Sequence, residues 1–109
     1  MSYSIIAVPS FKRAIKKLAK KYGSLKDDLA VLFKSLEENP VQGTSLGKNC
    51  YKIRLAISSK GKGKSGGARL ITNIVIDEEK VYLLSIYEKS EKENLTDKEL
   101  DDLLSFEPE

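Results

Sequence analysis

Residues 59–67 read Ser-Lys-Gly-Lys-Gly-Lys-Ser-Gly-Gly, and no regular element can run through them. The four glycines let the backbone take positive φ and come close to a ligand. The three lysines between them cannot bury their charge against one another. This loop separates two strand-like runs, and the bases Lys48, Lys52, Arg54 and Arg69 flank it, with no acid anywhere between Glu38 and Asp77. A basic loop without compensating carboxylates holds a positive potential of several kT and draws phosphates. Gly/Ser/Lys runs also serve as solvated hairpin tips or flexible linkers. Gly63-Lys64-Ser65 matches the end of a nucleotide P-loop, but Ser58 stands where its first glycine should be and a strand, not a helix, follows.

Before the loop, Tyr51, Ile53, Leu55 and Ile57 alternate with Cys50, Lys52, Arg54, Ala56 and Ser58, the period-two pattern of a half-buried strand. Lys52 and Arg54 therefore share its other face. Runs 68–77 and 80–88 follow the loop, and Asp77-Glu78-Glu79 reads as the turn that joins them in a hairpin. The three runs predict a three-stranded antiparallel meander.

The chain's beginning supplies a short strand over 3–8, ended by Pro9. Ser10 is then the expected N-cap of a helix in which Phe11, Ala14, Ile15, Leu18, Ala19 and Tyr22 recur at helical spacing, with Gly23 as its stop. Its opposite face carries Lys12, Arg13, Lys16, Lys17, Lys20 and Lys21, either a solvated face or a surface for an RNA or protein partner. Ser24 caps a second helix with the stripe Leu25, Leu29, Leu32, Phe33 and Leu36, Asp27 and Asp28 complement its dipole, and Asn39-Pro40 ends it. So short a turn predicts an antiparallel helix pair laid on the sheet. After a polar stretch, Thr96-x-x-Glu99 forms a capping box, Leu95 and Leu100 are placed for a hydrophobic staple, and a third helix is expected to about residue 106, docking weakly through Leu100, Leu103 and Leu104. The whole reads as one α+β domain over residues 1–109.

The single cysteine, Cys50, leaves no internal disulfide and reads as a small buried residue at a strand's head. The N-terminal apolar run is too short for a membrane span and lacks the basic lead of a signal peptide, so a cytoplasmic location is expected. Charge is split along the chain: residues 1–76 hold fifteen bases and four acids, residues 77–109 four lysines and twelve acids. The first part is dressed for a polyanion, and the acidic tail either shields that surface or is a solvated end.

With no histidine and one cysteine, the usual neutral-pH acid/base and the usual metal sets are missing, and no cofactor or metal is expected. Lysine, arginine, tyrosine and serine remain as working groups. They suit phosphodiester cleavage by the RNA's own 2′-hydroxyl, where fixed cations stabilise charge gathering on the phosphate. Tyr87 stands out as a strand-end residue two positions before Lys89: strand-end tyrosines usually pack, but here the rim would face a basic loop, where stacking on a base or moving a proton is open to it.

The series Tyr51-Lys52-Ile53-Arg54-Leu55, then Gly61-Lys62-Gly63-Lys64-Ser65-Gly66-Gly67-Ala68-Arg69, then Val81 through Glu91 with its Tyr87-Glu88-Lys89-Ser90-Glu91, then Asn94-Leu95-Thr96 resembles the RelE/ParE superfamily of toxins of toxin–antitoxin modules, its HigB-like members above all. The resemblance implies a strand, a helix pair, the three-stranded meander and a C-terminal helix. It implies a metal-independent endoribonuclease that enters the ribosome and cuts mRNA, with a helix-turn-helix antitoxin as partner and no membrane or small-molecule cofactor. By match to the family pattern, Arg54, Arg69, Tyr87 and Lys89 are the expected catalytic residues, Tyr87 with a pKa lowered by nearby cations. Lys52, Lys60, Lys62 and Lys64 are expected to bind RNA. The ParE branch, which poisons gyrase, and a non-catalytic RNA- or protein-binding module are the competing functions.

Overall fold

The computed structural model describes residues 2–61, 63, 66–92 and 94–106. Strand β1 (Ser4–Ala7) leads into α1 (Pro9–Lys21) and α2 (Leu25–Glu38), followed by β2 (Thr44–Gly47), β3 (Cys50–Leu55), β4 (Ala68–Val75), β5 (Lys80–Glu88) and α3 (Asp97–Leu104). The five strands form one sheet in the order β1-β5-β4-β3-β2, with β1 parallel to β5 and every other pair antiparallel. The expected meander β3-β4-β5 is its centre. The N-terminal strand lies on one edge, and β2, which the sequence reading left unassigned, forms the other.

The β2–β3 hairpin turns through Lys48 and Asn49, both at positive φ (55° and 59°), the backbone of the tightest two-residue hairpins. Asparagine tolerates that region, so Gly47-Lys48-Asn49 was a turn signal that the basic character of the stretch obscured. Strands β3 and β4 end earlier than expected: a 3₁₀ turn occupies Ser58–Lys60, and a second one, Ile76–Glu78, with Glu79 left-handed, makes the β4–β5 connection.

Helix α1 begins one residue before the expected cap. Pro9 is its first residue and Val8 its N-cap, since proline's fixed φ suits the first turn and its missing N–H needs no partner there. Ser24 does cap α2 by position, but its hydroxyl donates to Asp28 Oδ2 (2.9 Å) rather than accepting from the helix backbone. The α3 capping box forms as the sequence predicts, Thr96 Oγ1 accepting from Glu99 N (3.1 Å) and Glu99 Oε1 from Thr96 N (3.0 Å).

Phe11, Leu18, Leu25, Leu29 and Leu36 of the helix pair are buried in one core with Ile53, Leu55, Leu70, Ile74, Val81, Leu83, Leu84 and Ile86 of the sheet. Cys50 is fully buried, and its thiol pKa is raised by that burial. Helix α3 is fastened more firmly than its narrow stripe suggested. Leu100 is buried, Phe106 stacks on Tyr82 with ring centres 4.7 Å apart, and Lys48 pairs with Asp101. Among the described residues no helix is long and apolar enough to cross a membrane.

Candidate active site on the central strands

Strand register brings three of the four expected catalytic residues into one row. Arg54 of β3 lies opposite Arg69 of β4, and Arg69 lies opposite Tyr87 of β5. Directly opposed residues of neighbouring strands point to the same face with Cβ atoms about 5 Å apart, so the row spans roughly 10 Å of sheet. A register shift between Ile71 and Thr72 lies two residues from the row, a bulge of the kind that re-aims side chains beside functional sites.

Only one end of the row is open. Arg54 is exposed, whereas Arg69 is 4% and Tyr87 5% exposed. Arg69 Nη1 donates to the Ala68 carbonyl (3.1 Å). The Tyr87 hydroxyl is buried without a hydrogen-bond partner among the described residues. Burial raises the Tyr87 pKa, and the charges of Lys92 and Arg69 only partly offset it. The expected lowering is therefore corrected: desolvation of the phenolate outweighs the cations.

The chain's own acidic end lies beside the Tyr87 end of this row. Lys92 Nζ stands 5.7 Å from the Tyr87 ring centre and pairs with Glu99 in the first turn of α3. Lys52 Nζ donates to Asn94 Oδ1 (3.4 Å), and Lys48 is held by Asp101, which raises its pKa. Glu99 is depressed to about 2 by Lys92 and by the Thr96 backbone N–H. Of the α3 carboxylates, Asp101 thus pairs with a base of the first part of the chain, whereas Glu99 pairs with Lys92 of the acidic part itself.

The neighbour of Tyr87 does a different job. Glu88 points to the opposite face, as alternation requires, and is 4% exposed. Its carboxylate accepts from Tyr22 Oη (2.5 Å), Lys21 Nζ (3.0 Å) and Lys60 Nζ (3.3 Å), which together hold its pKa at about 2, the Tyr22 bond leading. Lys60 also sits 5.5 Å from the Tyr22 ring centre. So Lys60, expected to meet RNA, is turned inward and neutralised. A buried carboxylate with three donors attracts it more strongly than bulk water does.

The base of the glycine loop is pinned from a second side. Asp28 accepts from Ser58 N (2.9 Å) and Ser58 Oγ (2.6 Å), and Ser24 Oγ accepts from Ser59 N (2.8 Å). Burial alone would raise the Asp28 pKa, but these hydrogen bonds outweigh it and lower it. At the far end Gly67 O accepts from Lys89 N (3.1 Å). A Cβ at Gly67 would collide with the Leu55 carbonyl, so this glycine lets β3 approach β4. The expectation that the small residues here admit an RNA backbone is corrected at Gly67, where the neighbouring strand takes the space. Lys89 is half-buried just past β5, and Lys62 and Lys64 lie outside the described residues.

Sequence reading missed Glu88, Tyr22, Lys92 and Asn94. Glu88 could have been found from strand parity, which sends it to the face opposite Tyr87, where the end of α1 lies.

The sequence matches the family described as the RelE toxin of the RelE/RelB toxin–antitoxin system over residues 10–106. The fold is similar to that of a mutant of the E. coli toxin RelE in the free state (TM-score 0.60, 22% identity, 85% of this chain and 90% of that one). It is also similar to the isolated E. coli RelE toxin (TM-score 0.57, 18% identity, 94% and 97%) and to a chain of the intact E. coli RelBE toxin–antitoxin complex (TM-score 0.57, 20% identity, 78% and 94%). With the family match running through both helices of the pair, all of β2–β5 and α3, this chain belongs to the RelE toxin family.

Proposed function

We propose that this chain is a metal-independent endoribonuclease that cleaves mRNA on cytoplasmic ribosomes and is silenced by a helix-turn-helix antitoxin. The observation that carries the reading is the Arg54–Arg69–Tyr87 row across three adjacent strands, which puts two guanidinium-bearing residues and a phenol side by side on one face of the sheet. In this reaction the 2′-hydroxyl gives its proton to a base and its oxygen attacks phosphorus. The 5′-oxygen leaves with a proton. Arg69 and Arg54 stabilise the charge on the phosphate, their planar forks suiting two oxygens at once. Tyr87, with its pKa raised, stays protonated at neutral pH and suits the acid that protonates the leaving oxygen; Lys89, two residues on, is the candidate base. Lys52, Lys62 and Lys64 supply backbone contacts. Products are a 2′,3′-cyclic phosphate and a 5′-hydroxyl.

This reading requires the segment 92–104 to lift before RNA can reach Arg69 and Tyr87. A second reading, a toxin that binds without cutting, draws on the burial of those two side chains. Sequencing the ends of cellular mRNA after brief expression separates them. Cyclic-phosphate ends at codon-registered positions support the nuclease; arrest without new ends supports the binder, and DNA damage without cuts would point to gyrase.

A further inference from the structure

We infer that the outer face of α1 is a docking surface for the phosphate backbone of RNA, separate from the row on the central strands. Helix α1 holds six bases and no acid in thirteen residues, and all six are exposed. Two of them are accounted for: Lys21 is bound to Glu88, and Lys12 has a partner of its own. Arg13, Lys16, Lys17 and Lys20 form no ion pair with any described residue. At about 100° per residue these four fall within a stripe roughly 100° wide and about 10 Å long.

The sequence alone leaves such a run open between a solvated face and a surface for an RNA or protein partner, with twelve acids following in the tail. Tertiary structure shows where the described acids go. Asp101, Glu99 and Glu78 pair with Lys48, Lys92 and Lys80, and Glu88 faces inward. Asp102 lines a cleft with Arg13, and Glu91 lines one with Lys17. Among the described residues, none of these acids pairs with the four bases of the α1 stripe. Like charges three and four residues apart destabilise a helix by a few tenths of a kcal/mol per pair, a standing cost in the free protein that a polyanion would remove.

The occupant is RNA rather than a membrane surface. A membrane-lying helix needs an apolar face free to enter lipid, and the apolar face of α1 is committed to the core through Phe11 and Leu18. The choice of RNA over an acidic protein rests on the nuclease reading, under which one molecule of RNA, or the ribosome that holds it, would meet both faces.

The test uses the full chain with Arg13, Lys16, Lys17 and Lys20 all changed to Gln. Binding to a 20-base-pair RNA duplex and to purified small ribosomal subunits is followed over a KCl series. The variant should fold and melt at or slightly above the wild-type temperature, bind about ten-fold or more weakly near physiological salt, and show a log–log salt slope shallower by roughly two to four. An unchanged slope and affinity on both probes overturns the proposal. A wild type that cuts no mRNA yet shows the stripe-dependent slope would refute the nuclease and leave the docking surface standing.

Discussion

Arg69 and Tyr87 face each other directly across β4 and β5, both nearly inaccessible, with the tyrosine hydroxyl buried and unpartnered among the described residues. A buried hydroxyl without a hydrogen bond costs about 1–3 kcal/mol, so the Tyr87 hydroxyl itself adds nothing to the stability of the fold. Tyr87→Phe removes the unsatisfied group and keeps the ring. Its melting temperature should equal or exceed wild type, while single-turnover cleavage on programmed ribosomes falls. Unchanged cleavage would remove Tyr87 from the chemistry.

Arg54 and Arg69 separate affinity from folding. Arg54 is exposed, so Arg54→Ala should shift stability by no more than about 0.5 kcal/mol and lower cleavage. Arg69→Lys keeps a charge but loses the fork, and cleavage should drop by roughly 10²-fold, as for loss of one fixed electrostatic donor. Near-normal rates in both variants would leave a binder.

Helix α3 can be locked in place. Lys48 and Asp101 are paired but more than half exposed, so Lys48→Cys with Asp101→Cys should fold normally, and the buried Cys50 should not compete. Bridging the two thiols with a short bis-maleimide should abolish cleavage that the unbridged double variant retains. Full activity in the bridged protein would show that RNA reaches its site without moving α3.

Glu88 predicts an acid limb in stability. Its folded pKa of about 2 lies below the ordinary 4.5, so its contribution is present above pH 4.5 and is lost as pH falls toward 2. Glu88→Gln should flatten that limb in pH-dependent urea unfolding and cost about 3 kcal/mol near neutral pH, because Lys21 and Lys60 lose their buried partner. An unaltered pH profile would mean that the carboxylate is not ionised in the fold.

The loop lysines are no longer equivalent. Lys60→Ala should destabilise by roughly 1 kcal/mol or more through Glu88 and Tyr22, measurable by thermal melting. Equal stability of Lys60→Ala and wild type would show that the inward contact carries no weight.

The helix pair, the central meander and the capping box of α3 were legible from the sequence, because each rests on local periodicity or on neighbours a few positions apart; the residues of the row were singled out by resemblance to a family pattern, and their alignment across three strands came from the register. Lys52 and Arg54 share a face by alternation alone. Edge strand β2 escaped because its turn residues also looked like part of the basic stretch. What only the tertiary structure decided is where charge is cancelled and what is covered. Lys60 sits three residues from Gly63 in a loop that reads as exposed, yet a carboxylate twenty-eight positions away turns it inward. Tyr87 reads as a rim residue beside cations, yet it is buried in the fold, and that burial raises its pKa against the pull of Lys92 and Arg69. Desolvation and ion pairing depend on which distant segments pack together, and that is set by the sum of the fold's contacts rather than by any stretch of sequence.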